Sequence, residues 1–187
     1  KLAKAWEVNL PVAGTGASLM EILKRCRTGQ IRALYVVGEN PLATLPASVE
    51  VRAALDRLEL LVVQDPFLTE TGQMAHVVLP ATTYAEKDGT FTNLEGRVLR
   101  VRQAMDAIGE SVPDWQIMTA LANGLGCKWE YESANDVQAE IMKLLPGYYN
   151  LGQPRKLVPR AEKYLSNGYA AAVAGRYKGA QPGGQQP

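Results

Sequence analysis

The sequence has 187 residues, of which 47% are hydrophobic and 21% charged, the composition of an ordinary globular fold with one buried core. Twenty Lys and Arg stand against nineteen Asp and Glu, a formal charge of +1, so the chain lacks the basic surplus of a nucleic-acid binder. No apolar run approaches the roughly 20 residues that span a bilayer, which excludes direct membrane insertion.

The chain begins Lys1-Leu2-Ala3-Lys4 without a Met, and Glu7, Asn9 and Pro11 break the apolar stretch that follows, unlike a signal peptide. The expectation is a start inside a longer protein. Residues 18–29 read as a helix: Ser18 caps it, Leu19, Ile22, Leu23 and Cys26 recur at helical spacing, and Gly29 follows the last turn. The apolar run Ala33-Leu34-Tyr35-Val36-Val37 predicts a strand buried on both faces, halted by Gly38-Glu39-Asn40-Pro41. Ser48 is expected to cap a second helix running to about Leu58, with Val49, Ala53 and Leu55 inward, and Leu60-Leu61-Val62-Val63 repeats the buried-strand pattern before Gln64-Asp65-Pro66.

A third strand, Val77-Val78-Leu79, ends at Pro80, and residues 69–75 leave room for a brief helical crossover. This alternation predicts a parallel sheet with right-handed connections. Asp114 is placed as the cap of a helix closed by Gly126, with Trp115, Met118, Leu121 and Leu125 on one side, and another helix is expected from about Asn135 to Leu145, with Val137, Ile141 and Leu144 as its stripe and Pro146-Gly147 stopping it. Residues 1–150 thus form the expected α/β domain. Residues 151–187 are expected to be an irregular extension, with an Ala-rich stretch at 169–174 open to helix and a disordered Gly-Pro-Gln tail.

Ligands of parallel sheets bind beyond the carboxyl ends of the strands, which singles out three loops. Gly38-Glu39-Asn40-Pro41 offers close backbone approach, a carboxylate and an amide, though a structural turn explains it equally well. Gln64-Asp65 places an acid directly after a buried strand, where it can accept two hydrogen bonds from ribose or from the amidine edge of guanine. Thr69 offers a hydroxyl or a helix cap. The third segment, residues 84–97, is polar without periodicity and reads as a packed functional loop. Within it Lys87 and Arg97 suit phosphate, or else salt bridges with Glu86 or Glu95. Cys26 and Cys127 lack a second Cys or His at metal-ligand spacing and read as plain thiols, a disulfide between them being disfavoured. His76 reads as a surface histidine at a strand start.

Taken in order, Gly38-Glu39-Asn40-Pro41, Val63-Gln64-Asp65, Val77-Val78-Leu79-Pro80, Glu86-Lys87-Asp88-Gly89-Thr90-Phe91-Thr92-Asn93 and Asp114-Trp115 resemble the molybdopterin oxidoreductase family over residues 31–126. That family includes formate dehydrogenases, periplasmic nitrate reductases and the large iron–sulfur subunit of the respiratory NADH–quinone oxidoreductase, complex I. The resemblance implies an α/β, Rossmann-like parallel sheet with flanking helices, the molybdopterin-binding domain of the formate dehydrogenase and DMSO reductase type. It implies that Gln64 and Asp65 contact one guanosine end of a molybdopterin guanine dinucleotide, that Lys87 and Asp114 lie in the same pocket, and that Gly38, Glu39, Asn40 and Thr69 flank it. The site is inherited, and either loaded or empty.

Iron–sulfur clusters and a molybdenum-ligating Cys or selenocysteine are then expected upstream of Lys1, with no catalytic residue or metal ligand in this stretch. Partner subunits of a respiratory or formate dehydrogenase complex are implied, as is a cytoplasmic place, peripheral to the inner membrane through those partners. The tail and the segment Asn93-Leu94-Glu95-Gly96-Arg97 look like complex I versions, while Gln64-Asp65 and Glu86-Lys87 keep the cofactor-binding form. The expected function is the C-terminal part of an electron-transfer protein resembling the complex I iron–sulfur subunit. The alternatives are a truncated formate dehydrogenase-like catalytic subunit and a non-enzymatic docking scaffold.

Overall fold

Ser18 and Gly29 bracket the first long helix as their residue types dictate. In the computed structural model, which describes residues 2–6, 16–94 and 97–145, a short α1 (Leu2–Ala5) precedes α2 (Leu19–Arg27). The Ser18 hydroxyl accepts from Glu21 N–H at 3.3 Å, and Gly29 takes the left-handed conformation beyond the last turn, at φ 73°. The expected extension over 151–187, its Ala-rich stretch, its tail and the Pro146-Gly147 stop lie outside the described residues.

Strands β1 (Ala33–Val37), β2 (Leu60–Asp65) and β3 (Val77–Pro80) form one parallel sheet in the order β1-β2-β3. Val36 aligns with Val63, and Val63 with Val78. The connections are α3 (Pro41–Thr44) and α4 (Ser48–Leu55) between β1 and β2, then α5 (Glu70–Gln73) between β2 and β3. The α5 turn is the brief crossover expected at residues 69–75.

Ser48 does not cap α4. The position before the helix belongs to Ala47, held left-handed at φ 62°, and no side chain caps the amino end. Leu55 is buried as expected, together with Val51 and Ala54, whereas Val49 is 80% exposed and Ala53 faces solvent. The helix also ends at Leu55, and Leu58, still buried, follows in a turn.

The core lies on one side of the sheet, where Leu23 and Cys26 of α2 and Val51, Ala54 and Leu55 of α4 meet Val36, Leu61 and Val63. Each fully buried Leu or Val there contributes about 1.5–3 kcal/mol relative to exposure. Among the described residues two-sided burial is complete at the end of β2, where the adjacent Val63 and Gln64 are both 0% exposed, but not along the rest of the sheet: Leu60 is 43%, Tyr35 38% and Val77 42% exposed. These side chains point to the opposite face, away from α2 and α4.

Residues 84–97 are not a continuous loop. A single 3-10 turn, Tyr84–Glu86, precedes a two-stranded sheet of β4 (Gly89–Thr92) and β5 (Val98–Val101). Thr90-Phe91-Thr92 and Val98-Leu99 are strand formers by type, and the density of charge around them masks this in the sequence. Thr90–Leu99 falls in a different compact unit from the parallel sheet, and there Asn93 N–H donates to the Arg97 carbonyl at 2.9 Å and the Asn93 side chain accepts from Arg97 N–H at 2.9 Å.

Helix α6 (Asp114–Gly124) is preceded by Pro113, and the Asp114 side chain makes no capping bond. Its buried side carries Ile117 and Ala122, while Leu121 is 39% and Leu125 86% exposed. Gly126 closes the helix at φ 93°, as expected. Helix α7 (Ala134–Leu144) opens on a reciprocal capping box between Ser133 and Asp136, and Val137 is half-buried on the side the sequence assigned to the apolar stripe. Glu140 of α7 accepts from the Trp6 indole at 2.8 Å and from the Tyr131 phenol, which is pushed up to about 12 by burial and then by the Glu140 bond and charge. Cys26 is a buried free thiol, raised by burial, and Cys127 is free and exposed. Among the described residues no helix is long and apolar enough to cross a membrane.

Candidate functional site

Because β1, β2 and β3 run parallel, their carboxyl ends lie on one edge, and the turns that leave them converge there. Gly38 follows β1 at φ 62°, a conformation that disfavours any side chain, and donates its N–H to the Gln64 carbonyl at 2.9 Å. Nothing lies within 4 Å of where a Cβ would stand, so the backbone there is open to a ligand.

Asn40 and Thr69, both expected to flank a ligand, are engaged within the protein. The Asn40 side-chain oxygen accepts from the Thr71 hydroxyl at 2.7 Å and from Thr71 N–H at 3.3 Å, and its amide donates to Glu70 at 2.7 Å. That bond is the main reason the Glu70 carboxyl titrates below its ordinary value. Thr71, fully buried, also accepts from Leu42 N–H, so the first turn is tied to α5. Glu39 accepts from the Thr44 hydroxyl. Thr69 caps α5 by accepting from Gly72 N–H at 3.1 Å, which is the alternative of its two sequence readings.

Gln64, Lys87 and Asp114 come together, with a fourth member that the sequence reading missed. Gln64 is fully buried; its amide donates to Asp114 Oδ1 at 2.6 Å and its carbonyl accepts from the Tyr35 phenol. Lys87 Nζ donates to Asp114 Oδ2 and, at 3.0 Å, to the Thr82 carbonyl. Asp114 is therefore a receiver at the sheet edge, not a cap. The Tyr35 phenol is raised by burial and then by the Asp114 charge. Its signal in the sequence was a lone hydroxyl inside the apolar run of residues 33–37.

Lys87 forms its salt bridge with Asp114 and not with the neighbouring Glu86. Buried, Glu86 accepts from Thr83 N–H and the Thr83 hydroxyl, both at 2.7 Å, and from Ile108 N–H at 2.9 Å. The Thr83 bonds come first among the causes holding its carboxyl below the ordinary 4.5, with Ile108 N–H and the Lys87 charge adding to them. A depressed folded value stabilises the fold above pH 4.5 and loses that share as pH falls through it. Glu86→Gln is expected to flatten the acid limb of stability below that pH, followed by urea unfolding at a series of pH values. An unchanged limb would refute the assignment.

Asp65 ends β2 and is 8% exposed. Its Oδ1 accepts from Phe67 N–H at 2.8 Å, and among the described residues no protein donor meets the other oxygen. Asp65 thus keeps one oxygen, Gly38 an open backbone and Lys87 a partly exposed ammonium, group types suited to a ligand carrying both N–H donors and anionic groups. His76 donates its backbone N–H to Leu61 O and accepts Leu61 N–H on Nδ1 at 2.8 Å, a strand-start role as expected.

Comparison with known proteins places this edge in context. Residues 7–124 match the family described as "Molybdopterin oxidoreductase". The chain is 41% identical over 150 residues to the NADPH-Fe(3+) oxidoreductase subunit alpha of Geobacter sulfurreducens, covering 80% of this chain and 18% of that protein. It is 42% identical over 150 residues to the F420-dependent formate dehydrogenase 1 subunit alpha of Methanococcus maripaludis, covering 79% and 22%. The chain therefore spans about a fifth of the length of these relatives. Acetylene hydratase from Pelobacter acetylenicus shares the fold, with a TM-score of 0.53 and 21% identity over 57% of this chain and 15% of that one. The matched stretch takes in all three parallel strands and every member of the Tyr35–Gln64–Asp114–Lys87 network, and on that evidence the chain belongs to the molybdopterin oxidoreductase family.

Proposed function

We propose that this chain holds the guanosine end of a molybdopterin guanine dinucleotide at the carboxyl edge of its sheet, as part of a formate dehydrogenase-type subunit. Asp65 carries the reading. It is a carboxylate at the end of the central strand with one oxygen fixed by Phe67 N–H and the other without a protein donor among the described residues. A carboxylate in that position accepts the paired N–H groups of a guanine edge. Family membership implies a molybdopterin, and the guanine dinucleotide form is the finer step.

Lys87, pinned by Asp114 and the Thr82 carbonyl, keeps one N–H to direct at an anionic group of the ligand. Gln64 acts by shaping the edge, since both ends of its amide are engaged. When bound, the pterin supplies the redox-active metal, while the residues here bind and orient it. The relatives' names support an oxidoreductase subunit. Iron–sulfur clusters outside this stretch, partner subunits, a cytoplasmic place against the inner membrane through those partners, and a domain over residues 1–150 followed by an extension at 151–187 belong to the same proposal.

A second reading, a scaffold with an empty site resembling the complex I iron–sulfur subunit, rests on the segment Asn93-Leu94-Glu95-Gly96-Arg97. Calorimetric titration with GDP separates the two. The first reading expects saturable binding, weakened about tenfold or more in Asp65→Asn. Absence of both heat and thermal shift would remove it in favour of the scaffold.

A further inference from the structure

Phe67 stands 68% exposed directly after Asp65-Pro66, at the carboxyl edge of the sheet. Isolated exposed apolar side chains are common and by themselves carry no meaning. This one differs in the rigidity of its backbone. Its N–H is held by Asp65 Oδ1 at 2.8 Å, and its carbonyl accepts from Thr69 N–H at 2.9 Å. Pro66 before it has a fixed φ, and Thr69 after it is locked by capping α5. Its neighbour Leu68, also exposed, leans on α5, its Cδ1 lying 3.5 Å from where a Gly72 Cβ would be. The Phe67 ring itself takes part in no aromatic pair among the described residues. A large aromatic face is thus kept in water on a backbone pinned on both sides, close in sequence to a carboxylate with an open oxygen.

We propose that Phe67 is the stacking platform for the base whose edge Asp65 reads, so that the two residues form a guanine-specific clip. The proposal rests on the guanosine-binding reading above and adds a specificity-determining residue to it. The division of labour is chemical. Stacking accepts any base and supplies affinity; the carboxylate accepts N–H groups at N1 and the 2-amino position, which adenine does not present together, and so supplies selectivity. The Phe67 N–H bond to Asp65 Oδ1 ties the backbone of the one residue to the carboxylate of the other.

The test titrates the full chain with GDP, IDP and ADP, using wild type, Phe67→Ala, Phe67→Tyr and Asp65→Asn. Phe67→Ala is expected to weaken GDP, IDP and ADP alike, GDP by about tenfold, and Phe67→Tyr to restore binding. Asp65→Asn is expected to erase the preference for GDP over ADP, with IDP between them in wild type. An upfield ring-current shift of the guanine H8 proton, present in wild type and lost in Phe67→Ala, reads stacking independently of affinity. Phe67 is exposed, so the variant's melting temperature should match wild type and exclude misfolding. Wild-type affinity for GDP retained in Phe67→Ala, or an unshifted H8, would overturn the clip while leaving the guanosine site intact. A wild-type chain that binds no GDP would overturn both.

Discussion

Leu61→Ala is expected to lower the unfolding free energy by about 3 kcal/mol and the melting temperature by about 10 °C. Leu61 is 1% exposed at the second position of the central strand and faces the layer formed by α2 and α4. Truncation there removes the isopropyl end of the side chain from a place where the backbone cannot collapse: Leu61 N–H and C=O are both bonded to His76. The cavity therefore persists, which puts the cost well above the transfer term alone. Val77→Ala, on the opposite face at 42% exposure, is the matched control and should cost less than about 1 kcal/mol. Urea denaturation of both variants decides the matter, and equal losses would mean that the second face is as buried as the first.

That contrast bears on what the amino-acid pattern can convey. Ser18 and Gly29 marked α2 correctly because both act locally, one through its own hydroxyl and the other through its own φ. The β-α-β order was legible for the same reason, since runs such as Leu60–Val63 can do little else than extend. Burial on both sides was not, because an apolar residue does not specify what covers it. Ser48 misled in a different way: the residue type suits a cap, but the left-handed Ala47 before it took the capping position, and nothing in an alanine signals a positive φ.

The candidate site divides along the same line. Position was readable, since Gly38, Gln64 and Asp65 do stand at the carboxyl edge of the sheet. Partnership was not. Asn40 and Thr71 are separated by 31 residues, and Gln64 and Asp114 by 50, so a reading of spacing sees donors and acceptors that look free for a ligand. In the folded chain most are already satisfied by one another, as buried polar groups must be. What remains toward a ligand is a smaller set, led by Asp65, that could be found only by removing the residues otherwise engaged.

Gln64→Leu tests whether that mutual satisfaction holds the edge together. The substitution fits a fully buried strand position but deletes both hydrogen bonds of the amide, leaving Asp114 Oδ1 without its donor and the Tyr35 phenol without its acceptor. Leaving buried polar partners unmet costs about 1–3 kcal/mol each, but Asp114 and Tyr35 retain access to water, so a total of about 2 kcal/mol is expected. Tyr35→Phe removes only the first link and should cost about 1 kcal/mol. If the four side chains act as one network, the double variant loses less than the sum of the single ones, because the phenol no longer needs the acceptor that Gln64→Leu removes. Strict additivity in urea unfolding would show instead that the Tyr35–Gln64 bond contributes nothing to stability.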